Sequence, residues 1–217
     1  MTGRILVINP NSNTGVTATM DQLVQPLRFA DGPEIACTTL EEGPRGIESQ
    51  RHFDEVVGPL CDLIQREDSA TSAFIIACFG DPGLGSAKET TAKPVFGICQ
   101  AGMTTALNHG ERVGILTNLE GDINFGLRHM RQIGIDARVA GIEPIGITVT
   151  GLDDPGPSCP ALCDAAVRLR QKGTEVLVTG CAGMTAYKDD IEAASGLPVV
   201  DPIYAATAMA LGAVMAA

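Results

Sequence analysis

Apolar residues in this chain gather into short uninterrupted runs: Ile5–Ile8, Phe74–Cys78, Val95–Ile98, Val113–Leu116, Val176–Thr179 and Val199–Val200. Runs of this length, rich in branched side chains, predict strands buried on both faces. Between them the spacing changes. Phe53, Val56, Val57, Leu60, Leu63 and Ile64 recur at helical intervals, as do Ile123, Leu127, Met130 and Ile133, which predicts helices with one apolar stripe each. Strands alternating with helices predict parallel βαβ units and an α/β fold. Three further segments complete the pattern: Cys37, after Glu34-Ile35-Ala36, reads as a strand residue, Tyr204–Ala217 as a final helix, and Asp153–Ser158 as a surface loop. Ser158 is then the expected cap of a helix carrying Cys159 and Cys163 on either side of Pro160.

The pattern repeats. Pro94-Val95-Phe96, leading to Ala101-Gly102-Met103-Thr104-Thr105-Ala106-Leu107, returns as Pro198-Val199-Val200, leading to Ala205-Ala206-Thr207-Ala208-Met209-Ala210-Leu211. Phe74–Cys78 returns as Val176–Cys181, and Arg4–Asn9 as Arg112–Thr117. Three blocks at nearly one offset predict two pseudo-symmetric lobes, each a short, mostly parallel sheet flanked by helices. The expected division is residues 1–98 and 99–202, with the helix over 203–217 packing back on the first lobe.

Charge and cysteine content narrow the function. With 15 Lys and Arg against 26 Asp and Glu, the net charge of −11 would be repelled by nucleic acid and by anionic membranes. The apolar runs fall short of the roughly 20 residues a spanning helix needs, and the run at Ile5–Ile8 is too short for a signal peptide. An odd set of 7 cysteines without paired spacing points to thiols, not a disulfide framework. A cytoplasmic protein is expected, acting on a small molecule, with no nucleic-acid or membrane partner and assembling as a homo-oligomer.

In a parallel α/β sheet, reactive groups sit beyond the carboxyl ends of the strands. Four exits stand out: Asn9–Asn13, Cys78–Gly83, Thr117-Asn118 and Cys181–Thr185. Cys78 and Cys181 occupy matching places in the repeat, as do Asn9 and Thr117. A thiol at a strand exit, before a glycine and a helix start, lies where backbone N–H groups and the helix dipole favour thiolate and can stabilise an oxyanion.

The remaining candidates read as structural. Cys61 falls on the apolar stripe of the Phe53–Ile64 helix, and Cys99 opens a helix after Phe96-Gly97-Ile98. Cys159 and Cys163 lack the second Cys or His pair a zinc site needs. His52, His109 and His129 match neither metal spacing nor a triad, so no metal site is expected. Gly80-Asp81-Pro82-Gly83-Leu84-Gly85 has neither a dinucleotide fingerprint nor a Walker lysine, and Asp81 reads as a turn residue. Glu48 and Ser49 read as a helix cap.

Four motifs carry a resemblance: Ile8-Asn9-Pro10-Asn11-Ser12, Gly46-Ile47-Glu48-Ser49, Ile76-Ala77-Cys78-Phe79-Gly80-Asp81-Pro82-Gly83-Leu84 and Gly180-Cys181-Ala182-Gly183-Met184. Together they resemble the hydantoin racemase branch of the aspartate/glutamate racemase superfamily, in order over nearly the whole chain. The resemblance implies two α/β lobes with the active site in the cleft between them. It also implies cofactor-independent racemisation of a 5-substituted hydantoin, allantoin or a similar amino-acid derivative by a cysteine pair, here Cys78 and Cys181. Substrate contacts would fall on Asn9, Asn11, Ser12, Phe79, Gly80, Thr117, Ala182, Gly183 and Met184. Gln100 stands where some relatives carry glutamate. Rival readings are another enolate enzyme of the same fold, such as a diacid isomerase or a malonate decarboxylase, and a non-catalytic small-molecule binding protein.

Overall fold

In a computed structural model describing residues 3–216, the apolar runs become the two inner strands and one edge strand of each of two four-stranded sheets, both wholly parallel. The side chain of Asp153 is outside the description, as are Met1, Thr2 and Ala217, with which the expected first and last segments begin and end. By compactness the chain divides into two units, Met1–Ala101 with Ile203–Ala217, and Gly102–Pro202.

The first unit runs β1 (Arg4–Asn9), α1 (Thr14–Val24), β2 (Glu34–Thr39), α2 (Gln50–Glu55), α3 (Val57–Glu67), β3 (Ala73–Ile76), α4 (Leu84–Thr90) and β4 (Val95–Gly97). Its sheet order is β2-β1-β3-β4. The central strands β1 and β3 are apolar on both faces and buried almost throughout. One face, carrying Leu6, Ile8, Phe74 and Ile76, packs against Leu60, Leu63 and Ile64 of α3. The stripe from Phe53 to Ile64 is two helices, not one, because Pro59 has no N–H to offer the carbonyl of Glu55 and its ring crowds that carbonyl. Cys61 is only half-buried beside this stripe. Ser49 caps α2, accepting a hydrogen bond from His52 N at 3.2 Å.

α5 (Ile98–Ala106) spans the boundary between the units. The second unit continues with β5 (Val113–Thr117), α6 (Gly121–Gln132), β6 (Val139–Pro144), α7 (Pro155–Gln171), β7 (Val176–Thr179), α8 (Lys188–Ser195) and β8 (Val199–Val200). Its order, β6-β5-β7-β8, is that of the first sheet, strand for strand. Leu162, Ala165, Ala166 and Leu169 of α7 pack on Leu116 and Leu177. α9 (Pro202–Met215) then enters the first unit, where Val214 lies beside Gly3.

Three local expectations need correction. The run Phe74–Cys78 ends as a strand at Ile76, leaving Cys78 in the turn beyond. Residues 155–158 are the first turn of α7, with Pro155 at its first position. The cap is Asp154, accepting from Gly156 N at 3.0 Å, while the buried Ser158 hydroxyl donates to Gly151 O at 3.3 Å. β6 has no counterpart among the apolar runs. It is an edge strand of sequence Val-Ala-Gly-Ile-Glu-Pro, and the buried Glu143 is held by Arg168 of α7 at 2.9 Å and by Lys172, the residue that follows α7. Burial opposes ionisation of Glu143, but the two cations outweigh it and keep the carboxyl below the usual range.

Candidate active site

The two cysteines singled out by the repeat leave their sheets at equivalent places. In the first sheet the last paired residues of β1 and β3 are Ile8 and Ile76, and Ala77 N donates to Ile8 O at 2.9 Å. In the second, the last paired residues of β5 and β7 are Leu116 and Thr179, and Gly180 N donates to Leu116 O at 2.8 Å. Cys78 and Cys181 each follow that bond by one residue. Asn9 and Thr117 each follow the last paired residue of the neighbouring strand, and their carbonyls accept matching bonds from Leu40 N and Ile145 N.

The turn after Cys78 is tightly wound. Gly80, Asp81 and Gly83 all have positive φ, at 119°, 51° and 68°, a conformation that glycine adopts freely and Asp tolerates. Asp81 is buried, and its carboxylate accepts from Cys99 N at 2.8 Å and Gln100 N at 2.9 Å. It thus caps the amino end of α5, where a negative charge is favoured. Gly97 makes room for it, since a Cβ there would lie 2.2 Å from the carboxyl carbon. Asp81 is therefore a positioning residue, tying the Cys78 turn to the start of α5. Cys78 and Phe79 are half-buried and Gly80 is buried.

Beside this turn, Asn9 is fully buried, and its amide nitrogen donates to Asn11 Oδ1, Asn13 O and Thr17 Oγ1 at 3.0–3.1 Å. Asn11 N returns a bond to Asn9 Oδ1 at 3.2 Å, and Asn11 Oδ1 accepts from Asn13 N at 2.9 Å. Asn13 then caps α1. These asparagines brace the strand exit, and the half-buried Ser12 sits at its tip with its N–H on Pro44 O at 2.9 Å.

In the second unit Cys181 opens a 3-10 turn, Ala182–Tyr187, in which Met184 N donates to Cys181 O at 3.0 Å. Gly180 is required by close approach, because a Cβ would lie 2.4 Å from Leu116 O. Cys181 packs on a cluster containing Leu152 and the buried Met184, together with Ile145 and Ile147. The segment after β6 is fastened over this turn by Asn118 Nδ2 donating to Ile147 O at 2.9 Å and Tyr187 Oη donating to Leu152 O at 2.7 Å. Ala182 is buried, while Gly183 meets Leu152, whose Cδ1 would lie 2.9 Å from an added Cβ. Thr117 donates to Asp122 Oδ2 at 3.0 Å, and the same oxygen accepts from Leu119 N. Thr185 is hydrogen-bonded to Asp201, the residue before α9.

All seven cysteines are thiols. Burial, then the charge of Asp81, pushes the Cys99 thiol well above the usual range. Burial, then Asp21, raises Cys37 to about 12. Both are poor sources of thiolate at neutral pH.

A family model described as Asp/Glu/Hydantoin racemase matches residues 5–210. The chain belongs to that family. Within the racemase family it is 32% identical over 213 residues to a hydantoin racemase of Paenarthrobacter aurescens, covering 95% of this chain and 89% of the relative. A hydantoin racemase of Rhizobium meliloti is 30% identical over 211 residues, covering 95% and 86% respectively. Among solved structures, the allantoin racemase of Pseudomonas fluorescens superimposes with a TM-score of 0.92 at 27% identity, over 98% of this chain and 91% of that one. No helix among the described residues is long and apolar enough to cross a membrane.

Sequence reasoning read Asp81 as a turn residue, which it is, but not as the cap of α5, and it passed over Asp122. Asp122 carries a local signal, an acid in the first turn of a helix after a Thr-Asn strand exit. Asp81 carries none, because its partners lie 18 and 19 residues away.

Proposed function

We propose that this racemase-family chain inverts the stereocentre of a 5-substituted hydantoin or of allantoin, with Cys78 and Cys181 as its acid/base pair. The observation that carries the reading is the placement of both thiols one residue beyond the same hydrogen bond in two sheets of the same strand order. A racemase must accept either enantiomer, so it needs an acid/base on each face of the reacting carbon.

The chemistry follows from the ring. C5 is flanked by a carbonyl and a nitrogen, so when one cysteine thiolate takes the C5 proton the electron pair moves into the carbonyl as an enolate. The other cysteine, as a thiol, gives its proton to the opposite face as the carbonyl re-forms. The enantiomer leaves, and the two sulfurs have exchanged protonation states. The asparagine-braced exit, Thr117 and the turn residues Phe79, Gly80, Ala182, Gly183 and Met184 are assigned to orienting the ring. The catalytic geometry requires each sulfur about 3–3.5 Å from C5, hence sulfurs roughly 7 Å apart around a bound substrate.

Each enantiomer of benzylhydantoin, isopropylhydantoin and allantoin, incubated in deuterium oxide, tests this. Optical rotation should decay to zero with deuterium entering C5, and Cys78→Ser or Cys181→Ser should each slow the decay about 10²–10⁴-fold. Formation of a decarboxylated or geometrically isomerised product from a diacid instead, or ligand affinity without turnover, would overturn the reading. So would a ligand-bound crystal structure with the sulfurs more than about 10 Å apart.

A further inference from the structure

The segments that follow the edge strands β2 and β6 start in matching places and differ in chemistry. Leu40 N donates to Asn9 O in the first unit, as Ile145 N donates to Thr117 O in the second. From there the first segment carries exposed charge at Glu41, Glu42, Arg45 and Glu48, and Pro44 O accepts from Ser12 N at the asparagine-braced exit. The second segment, residues 145–152, reads Ile-Gly-Ile-Thr-Val-Thr-Gly-Leu and carries no charge.

This uncharged segment is fastened to the exits of both inner strands of its sheet. Ile145 N and Gly146 N donate to Thr117 O and Asn118 O at 3.0 and 2.9 Å. Asn118 Nδ2 donates back to Ile147 O, and Tyr187 Oη, from the turn after Cys181, donates to Leu152 O. Its apolar side chains turn one way: Ile145 and Ile147 are half-buried and pack on the cluster that also seats Cys181, whereas Gly146 and Thr148 are exposed. Leu152, in the same cluster, is buried against Gly183, two residues beyond Cys181. Ile145 and Ile147 therefore leave apolar surface open on the Cys181 cluster, while the N–H groups that start the segment and the donors of Asn118 and Tyr187 are spent on fastening it.

We propose, resting on the reading of Cys181 as one of the acid/base pair, that Ile145 and Ile147 receive the C5 substituent and make this chain prefer a branched aliphatic hydantoin to allantoin. A substituent on a carbon held at the Cys181 sulfur comes within reach of the residues that share its cluster. An isobutyl group and the ureido group of allantoin have the same branched outline, so shape does not separate them. Polarity does: a ureido N–H pressed on isoleucine gives up its water and gains no partner, whereas isobutyl surface gains from leaving water. Ile147 is thus a specificity-determining residue.

Initial rates and isothermal titration with isobutylhydantoin, carbamoylmethylhydantoin and allantoin test the assignment. Carbamoylmethylhydantoin shares the outline and the polar end but keeps carbon on C5, which removes the influence of a second nitrogen on proton loss. On the wild type, isobutylhydantoin should exceed carbamoylmethylhydantoin in kcat/KM, and both polar compounds in affinity, by at least about tenfold. Ile147→Asn should bring those ratios close to one, and Ile147→Ala should narrow them through loss of the isobutyl contact. Each ratio is taken on one preparation, so any unfolded fraction of a variant cancels. Wild-type ratios near or below one, or ratios that neither variant moves, would overturn the assignment while racemisation itself stands. Preferential binding of isobutylhydantoin that Ile147→Asn abolishes, without racemisation of any hydantoin, would instead overturn the racemase reading and leave the apolar surface in place.

Discussion

The Cys78 and Cys181 turns begin alike and end differently. Each starts from the same hydrogen bond between neighbouring parallel strands. Beyond the cysteine, the first turn passes through three left-handed residues and anchors itself by an aspartate reaching forward to α5. The second winds into a 3-10 turn, and its anchor runs the other way, from Asp201 back to Thr185, with Tyr187 fixing the segment after β6. Sheet register therefore sets where each thiol stands, while the device that stiffens the turn is free to differ. Even the residue before the cysteine obeys this division: Ala77 is accommodated in the first turn, but Gly180 has no room for a methyl group in the second.

The largest expected effect would break the equivalence outright. If the two thiols share the work equally, Cys78→Ser and Cys181→Ser each lose about 10²–10⁴-fold in racemisation of both enantiomers, by polarimetry. A loss confined to one variant would make the symmetry a property of the fold alone. Next come the backbones that hold the thiols. Gly180→Ala forces a methyl group onto the Leu116 carbonyl and should lower stability by about 1–3 kcal/mol, with a fall in kcat, whereas Ala77→Gly should cost about 1 kcal/mol or less. Urea denaturation and initial rates on both variants measure that contrast. Asp81→Ala removes the α5 cap and should cost about 1–2 kcal/mol. A readout beyond folding is the KM-against-kcat split, because displacing the Cys78 turn lowers kcat more than it changes KM.

Smaller effects compare the two sheet edges. Glu143 on β6 is held ionised by Lys172 and Arg168, and the Asp21 carboxyl, lowered by its hydrogen bond to Arg28, stands near β2. A carboxyl whose folded pKa is depressed contributes stability above its unfolded pKa and loses it as pH falls through the folded value. The wild-type urea midpoint should therefore fall from about pH 5 downward, and Glu143→Gln should flatten that dependence. At neutral pH the same change should cost about 1 kcal/mol, since both cations are half-exposed and regain water. The exposed Arg51–Glu55 pair on α2 is the control, and Arg51→Ala should leave the melting temperature where it is.

How much of this was legible in the sequence follows the physics of burial. The inner strands announce themselves because both faces are apolar, and the repeat of their flanking residues exposed the cysteine pair. β6 was silent: an edge strand carrying Gly141, Glu143 and Pro144 has no apolar run, and its Glu143 is held by cations in and just after α7 that no local pattern reveals. The split between α2 and α3 was legible in Pro59 but was outweighed by an apolar stripe that continues across it. The role of Asp81 was not legible, since a cap supplied from a distant loop leaves no short-range signature.

The division of the chain bears on its synthesis. The first unit comprises Ile203–Ala217 as well as Met1–Ala101, whereas the second is a continuous stretch, Gly102–Pro202. During synthesis the second unit is thus complete in sequence before the first, which lacks the helix that sets Val214 beside Gly3 until that helix has been made.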